Sequence, residues 1–176
     1  MPSLLHATGI VKQFPGTLAL NQVELDLRPG EIHAVVGENG AGKSTLMKIL
    51  SGVYDADAGE ILFEGRRVTP ASPREARALG IAIVHQELSL VPPLTVAENI
   101  FPGRLPTNAL GMVKYGQLFR DARHALDDLD VAVDPRALVS DISIANQQLV
   151  EIAKALSHDC KVLILDEPTS ALTERE

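Results

Sequence analysis

The sequence is short of several things, and each shortage narrows what the chain can be. It carries one cysteine, Cys160, among 176 residues, so no internal disulfide is available. That fits a reducing compartment such as the cytosol. The thiol stands at the start of an apolar run, which predicts a small core residue rather than a reactive group. No segment approaches the roughly 18 consecutive apolar residues of a membrane-spanning helix. The start of the chain, Met1-Pro2-Ser3-Leu4-Leu5-His6, lacks the basic beginning and long apolar run of a signal peptide. Positive charge is not in excess either. The net charge is −7, and an acidic surface repels a phosphate backbone, which argues against nucleic acid as a partner. Internal repeats and low-complexity tracts are missing too.

What remains is the composition of an ordinary globular domain, 45% hydrophobic and 22% charged, at a length that favours one domain over two. Residues 4–36 read as short strands joined by turns. Val23-Glu24-Leu25-Asp26-Leu27 alternates apolar and acidic, as a half-buried strand does. Arg28-Pro29-Gly30-Glu31 reads as a turn, and Ile32-His33-Ala34-Val35-Val36 as the next strand, with His33 packed inside it. A glycine-rich loop follows, then an amphipathic helix with Leu46, Met47, Ile49 and Leu50 on its apolar side and a stop at Gly52.

Residues 59–65 read as a hairpin edge, 73–79 as a short helix ended by Gly80, and 81–84 as a strand covered on both faces. From about residue 88 to 157 strand signals fade. Leu118, Phe119, Ala122, Ala125, Leu126 and Leu129 recur at helical spacing, residues 102–111 look like a loop, and residues 146–156 read as a second amphipathic helix with Leu149, Ile152, Ala153 and Leu156 inward. The sheet resumes at Val162-Leu163-Ile164-Leu165. The last residues, Thr173-Glu174-Arg175-Glu176, have the form of a capping box that would open a helix, which reads more easily as a fragment boundary than as the end of a finished domain.

The chemistry starts at Gly37-Glu38-Asn39-Gly40-Ala41-Gly42-Lys43-Ser44-Thr45. Glycines let a backbone wrap with its N–H groups pointing inward, and the helix behind adds its positive end. Lys43 is placed to reach the β- and γ-phosphates of a nucleoside triphosphate, ATP with Mg²⁺, and the Ser44 hydroxyl to join the metal shell. Asp166 ends an apolar strand, where a second metal-organising carboxylate belongs, and Glu167 beside it can deprotonate an attacking water. On its own such a pair would be a cap or a solvated couple. Gln86 follows the strand 81–84, and a neutral amide there can touch both Mg²⁺ and the lytic water, or simply line a surface loop. Phe14, upstream of the sheet, is suited to stack on adenine or to pack.

In this order the pieces resemble the ATP-binding cassette (ABC) family, and within it the first nucleotide-binding domain of the two-cassette ATPases that drive monosaccharide importers. The stretches that carry the resemblance are residues 37–54 (GENGAGKSTLMKILSGVY), 84–100 (VHQELSLVPPLTVAENI), 146–157 (NQQLVEIAKALS) and 162–173 (VLILDEPTSALT). The resemblance implies an α/β P-loop fold with a central, mainly parallel sheet, an antiparallel β subdomain and an inserted helical subdomain, the C-terminal part of the core being missing. Residues 1–87 and 158–176 would form the core and β subdomain, and residues 88–157 the helical subdomain. Gln86 becomes the glutamine-loop residue and Phe14 the adenine-stacking aromatic.

By the same resemblance Ile142-Ser143-Ile144-Ala145-Asn146 falls at the signature, generally Leu-Ser-Gly-Gly-Gln, whose serine binds the γ-phosphate held by a facing cassette. Ser143 is kept, while Ile144 and Ala145 replace glycines; otherwise Ser143 is a helix N-cap. Ser170-Ala171-Leu172-Thr173 falls at the dimer-contacting loop. None of the histidines lies beyond Glu167, where the family's switch histidine belongs.

The implied partners are a second nucleotide-binding domain, transmembrane permease subunits touched by residues 90–99, and indirectly a periplasmic sugar-binding protein. The implied place is the cytoplasmic face of the inner membrane, held peripherally. A truncated fragment with little ATPase activity is the alternative. A non-transport cassette acting on DNA or ribosomes would call for an intact glycine signature and a basic arm, and the chain has neither.

Overall fold

A computed structural model describes residues 3–85 and 88–166. The chain divides into two compact units, residues 1–81 and 82–176. In the first, strands β1 (Leu5–Phe14), β2 (Thr17–Leu27), β3 (Ala58–Phe63) and β4 (Arg66–Val68) form an antiparallel sheet in the order β2-β1-β3-β4. The inward residues of β1 are Leu5, Ala7 and Ile10, each fully buried. Their spacing slips from two to three where Gly9, at φ 62°, interrupts the register with both neighbours. The β3–β4 hairpin turns on Glu64 and Gly65, both at positive φ, as a tight two-residue turn requires.

Helix α1 (Lys43–Leu50) buries Leu46, Ile49 and Leu50. It ends as Gly52 N–H donates to Ile49 O and Val53 N–H to Lys48 O, a paired closure that uses Gly52 at φ 72°. Helix α2 (Pro73–Leu79) starts at Ser72, whose side chain accepts from Glu75 N–H, and stops at Gly80 in the left-handed region. The helix over 73–79 and the strand β5 (Ile81–Val84) fall where the pattern of the sequence puts them.

Residues 28–31 do turn, with Arg28 N–H donating to the Glu31 carboxylate and Gly30 at φ 74°. The expected strand over 32–36 does not form. Ile32 is 100% exposed and Val36 90%, and no strand among the described residues pairs with them. β-propensity expresses itself only against a neighbouring strand, and an unpartnered segment stays irregular. His33 is accordingly exposed rather than packed, with Nδ1 lying 3.0 Å from Glu31 Oε1.

The second unit gathers α3 (Val96–Ile100), α4 (Tyr115–Asp127) and α5 (Ile144–Leu156) around a core of Val96, Ile100, Leu118, Leu126, Val139 and Val150, each 0–1% exposed. Thr95 and Glu98 close a reciprocal capping box on α3. Hydrogen bonds from the Thr95 side chain and backbone, and from Tyr115, hold the Glu98 carboxyl below its usual range. Leu118, Ala122 and Leu126 face inward as the helical spacing of α4 requires, and Phe119, Ala125 and Leu129 pack at the edge of the same core.

Helix α5 departs from expectation. It starts two residues before Asn146, and it buries Gln148, Val150, Glu151 and Ala153, while Leu149 and Ile152 are half-buried and Leu156 is 40% exposed. The helix is rotated so that two polar side chains share the inner face. The expected loop over 102–111 is an ordered turn. Asn108 Oδ1 accepts from Leu110 N–H and Met112 N–H, and a bridge joins Thr107 to Val113.

Strand β6 (Val162–Leu165) pairs with β5, and Cys160 lies just before it, half-buried. Burial pushes the Cys160 thiol up from its ordinary value, so little thiolate exists at neutral pH. Alkylation of Cys160 by iodoacetamide is expected to be slow at pH 7 and to accelerate only above the ordinary thiol range. Rapid labelling at pH 7, followed by mass spectrometry, would reverse that reading.

Candidate functional site

The loop over residues 37–45 is set by a turn and a close approach. Ala41 N–H donates to Glu38 O at 3.1 Å, closing a turn whose third residue, Gly40, stands at φ 86°. A turn of this type asks for glycine there. Gly42 follows at φ 89° as the N-cap of α1. A side-chain carbon on Gly42 would stand 2.5 Å from the Ala19 carbonyl oxygen and 2.7 Å from Leu20 Cδ2, so the helix start is pressed onto β2 and only glycine fits. Leu46 N–H is the first amide to close the helix, on Gly42 O at 2.9 Å. The amides of Lys43, Ser44 and Thr45 come before it and have no intrahelical acceptor. No acidic side chain occupies the first turn, so nothing in the helix neutralises its positive end.

Lys43 folds back across the loop. Its Nζ donates to Gly37 O at 2.7 Å and to Glu38 O at 3.0 Å. Residues 37–41 are exposed, and Lys43 is half-buried. The arrangement offers an anion a set of backbone amides and one ammonium. Among the described residues no group of three or more His, Cys, Asp or Glu could hold a metal ion by itself. A divalent cation at this loop would take the Ser44 hydroxyl as one ligand, with phosphate oxygens and water among the others. Mg²⁺ suits that donor set, because it keeps several waters and seldom sits in an all-protein cage.

Phe14 ends β1 and is half-buried. Its ring meets Tyr54 at a centroid distance of 5.4 Å and an interplanar angle of 70°. Lys12 Nζ stands 5.7 Å from the Phe14 centroid and pairs with Asp57 at 2.8 Å, while Gln13 N–H donates to Asp57 Oδ2 at 2.7 Å. Hydrogen bonds from Lys12, then from Gln13, hold the Asp57 carboxyl below the usual carboxylate range. A depressed carboxyl stabilises the fold at neutral pH and loses that contribution as pH falls through its lowered value. Phe14 thus meets Tyr54 and Lys12 and stays half-buried. Tyr54, Lys12 and Asp57 were not visible as its supports in the sequence, because they come together only through the sheet and the end of α1.

In the second unit Asp166 follows β6, half-buried, and its N–H donates to Val84 O at 3.1 Å, so the ends of β5 and β6 run side by side. Ser143 is the N-cap of α5 and accepts from Asn146 N–H at 3.2 Å. The segment before it is tied down by Gln147 Nε2, which donates to Val139 O and Ile142 O at 3.1 Å each. Ser143 is exposed and Ile144 is 62% exposed, so the start of this helix presents itself to solvent. Gln86, Glu167 and residues 170–173 lie outside the described residues, as does the capping box at 173–176.

A phosphate-type loop on a glycine-started helix, beside an antiparallel sheet, with a helical unit carried elsewhere in the chain, defines a class. The ABC transporter family pattern matches residues 20–170, and the chain belongs to that family, with its α/β P-loop fold. It is 56% identical over all 176 residues to the ribose import ATP-binding protein RbsA 1 of Rubrobacter xylanophilus, of which it covers 35%. It is 57% identical over 173 residues to a putative ribose/galactose/methyl galactoside import ATP-binding protein of Agrobacterium fabrum, of which it covers 34%. The chain therefore spans about a third of the length of these relatives. Among solved structures it is similar to a nucleotide-free ATP-binding cassette from an ABC transporter, with 28% identity and a TM-score of 0.81 over 98% of this chain and 72% of that one. The ADP conformation of such a cassette aligns with the same TM-score at 27% identity, again over 98% and 72% of the two chains.

The geometry separates two glycines of the loop. Gly42→Ala combines a positive φ with a clash against backbone and is expected to cost about 2–4 kcal/mol of stability, whereas Gly40→Ala, with open space around it, costs about 1 kcal/mol. Urea unfolding of the two variants measures both, and equal losses would remove the Ala19 contact as the cause.

Proposed function

We propose that this chain binds ATP with Mg²⁺ on residues 37–45, and that in the whole protein it is one half-site of an ATPase that powers monosaccharide import. The observation that carries the proposal is the loop itself. Free amides at the start of α1, the ammonium of Lys43 and the Ser44 hydroxyl form a site for a polyphosphate and its cation. The printed names of the relatives, import ATP-binding proteins for ribose and galactose-type sugars, support the transport reading.

In this reading Gly37, Glu38, Asn39, Gly40, Ala41, Gly42, Lys43, Ser44 and Thr45 hold the phosphates, and Phe14 stacks on the adenine. Ser44, Asp166 and Gln86 hold Mg²⁺, which when bound neutralises charge on the phosphate oxygens. Glu167 takes the proton of the attacking water, and Gln86 orients that water. Ser143 serves the γ-phosphate of a facing nucleotide-binding domain. Residues 1–87 and 158–176 act as core and β subdomain, and residues 88–157 as the helical subdomain.

The loop over residues 90–94 faces the permease subunits, with Val91 and Leu94 exposed at 47% and 40%; Asn99, by contrast, is 4% exposed and acts from inside. The protein works peripherally at the cytoplasmic face of the membrane, and indirectly with a sugar-binding protein. Among the described residues no helix is long and apolar enough to cross a membrane.

Two substitutions in the full-length protein test the reading. Lys43→Ala removes charge-assisted bonds of about 1.5–3 kcal/mol each and is expected to weaken MgATP binding about 100-fold by calorimetry. Undiminished affinity would displace Lys43 from the phosphates. Glu167→Gln is expected to keep ATP bound while turnover drops by about 10²–10⁴. Hydrolysis at the wild-type rate would take Glu167 out of the role of base.

A further inference from the structure

Helix α5 hides two polar side chains on its inner face. Gln148 is 9% exposed and Glu151 7%. They stand three residues apart and so lie one above the other. Glu151 Oε1 accepts from Ser89 Oγ at 2.6 Å and from Lys154 Nζ at 3.2 Å. Lys154 Nζ also donates to Ser89 Oγ at 2.6 Å and to Ser89 O at 3.3 Å. An ammonium has three protons to give, and this one spends them all inside the cluster. The pair is largely withdrawn from solvent, with side-chain exposures of 16% for Lys154 and 9% for Glu151.

Such a cluster is a poor source of stability. Removing both charges from water offsets most of their attraction, and an apolar pair of similar size would hold the helix equally well. Glu151 Oε2 of the cluster and Gln148 Oε1 beside it are buried and accept no hydrogen bond among the described residues, which adds a further cost. What the cluster supplies is register, because its donors and acceptors meet in only one placement of Ser89 against α5.

Ser89 opens the segment that carries the exposed Val91 and Leu94. The far side of that segment is held by Asn99 of α3. Its Oδ1 accepts from Val91 N–H at 2.7 Å, and its Nδ2 donates to Val91 O at 3.1 Å and to Thr95 O at 3.0 Å. The segment is thus gripped by α5 at one end and by α3 at the other. Ser143 caps the opposite end of α5, about 12 Å along the axis from Glu151 at 1.5 Å per residue.

We infer that Ser89, Glu151 and Lys154 form a latch that makes the loop of residues 89–94 and helix α5 move as one body. The role in coupling rests on the function proposed above. There the Ser143 end of α5 responds to nucleotide and the Val91–Leu94 tip meets the membrane subunits, so the latch transmits position from one to the other. Ser89, Glu151 and Lys154 are positioning residues and touch no nucleotide.

Spin labels at positions 91 and 156, in the full-length protein made otherwise cysteine-free, read the latch directly. The distance distribution is expected to be narrow and the same with and without MgATP. Ser89→Ala, a mild change, and Glu151→Ala are each expected to broaden it at least twofold. The double variant adds nothing further, and Lys154→Arg preserves the narrow distribution. An unchanged distribution in Ser89→Ala and Glu151→Ala overturns the latch.

In the reconstituted importer, sugar moved per ATP hydrolysed is expected to fall about tenfold in Ser89→Ala while hydrolysis stays within twofold of wild type. A broadened distribution with an unchanged ratio overturns the coupling role. A wild-type protein that moves no sugar counts against the proposed function and against that role, and the label distances still decide the latch.

Discussion

The carbonyl of Ala19 fixes where α1 can begin. It stands where a side-chain carbon of Gly42 would have to go, at 2.5 Å, and β2 cannot withdraw without losing its ladder with β1. The far end of the same helix meets a similar limit, since a side-chain carbon on Gly52 would stand 2.6 Å from Ser72 O. A helix of eight residues is marginal alone, and this one is held at both ends by backbone that tolerates only glycine. The free amides of its first turn are therefore aimed by the sheet and not by the loop. The loop carries ordinary side chains at Glu38, Asn39 and Ala41, and its backbone arrives at Gly42 against Ala19.

The second unit solves a different problem. Its helices share an apolar core in which Val96, Ile100, Leu118, Leu126 and Val150 are essentially sealed from solvent, and that core would fix the helices in depth. Apolar contact is not directional, however, and it tolerates sliding. Directional bonds are added where sliding would matter. Asn99, Glu151 and Lys154 grip the chain between Ser89 and Thr95, and Arg104 reaches Ser157 at the end of α5. The unit gives up some stability for a defined register.

Much of this was legible in the sequence, and the parts that were not share a cause. The helix over 73–79 carries its own start in Ser72 and Glu75 and its own stop in Gly80. Strands 81–84 and 162–165 are short, apolar and bounded. The glycine loop is legible for the same reason, as its conformation is demanded by residues next to one another. Residues 32–36 have every local mark of a strand and form none, because a strand depends on a neighbour that no local pattern supplies. The inner face of α5 is only partly legible: Leu149 and Ala153 pack on the core as hydropathy suggests, Leu156 is exposed, and hydropathy alone gives no reason to bury Gln148 and Glu151. Ser89, their partner, lies more than sixty residues away. The surroundings of Phe14 were hidden in the same way, with Asp57 over forty residues from Lys12.

Lys43 already holds two neutral carbonyl oxygens, those of Gly37 and Glu38. Any anion that recruits its ammonium must outbid both, so the gain is a difference between acceptors and not the full strength of a new bond. A singly charged visitor gains little from that exchange, and the lysine can remain where it is. A ligand that carries several negative oxygens close together engages the amides of α1 at the same time and tips the balance. On the function proposed above, the resting bonds of the lysine set a threshold that a polyphosphate would cross more readily than a singly charged anion.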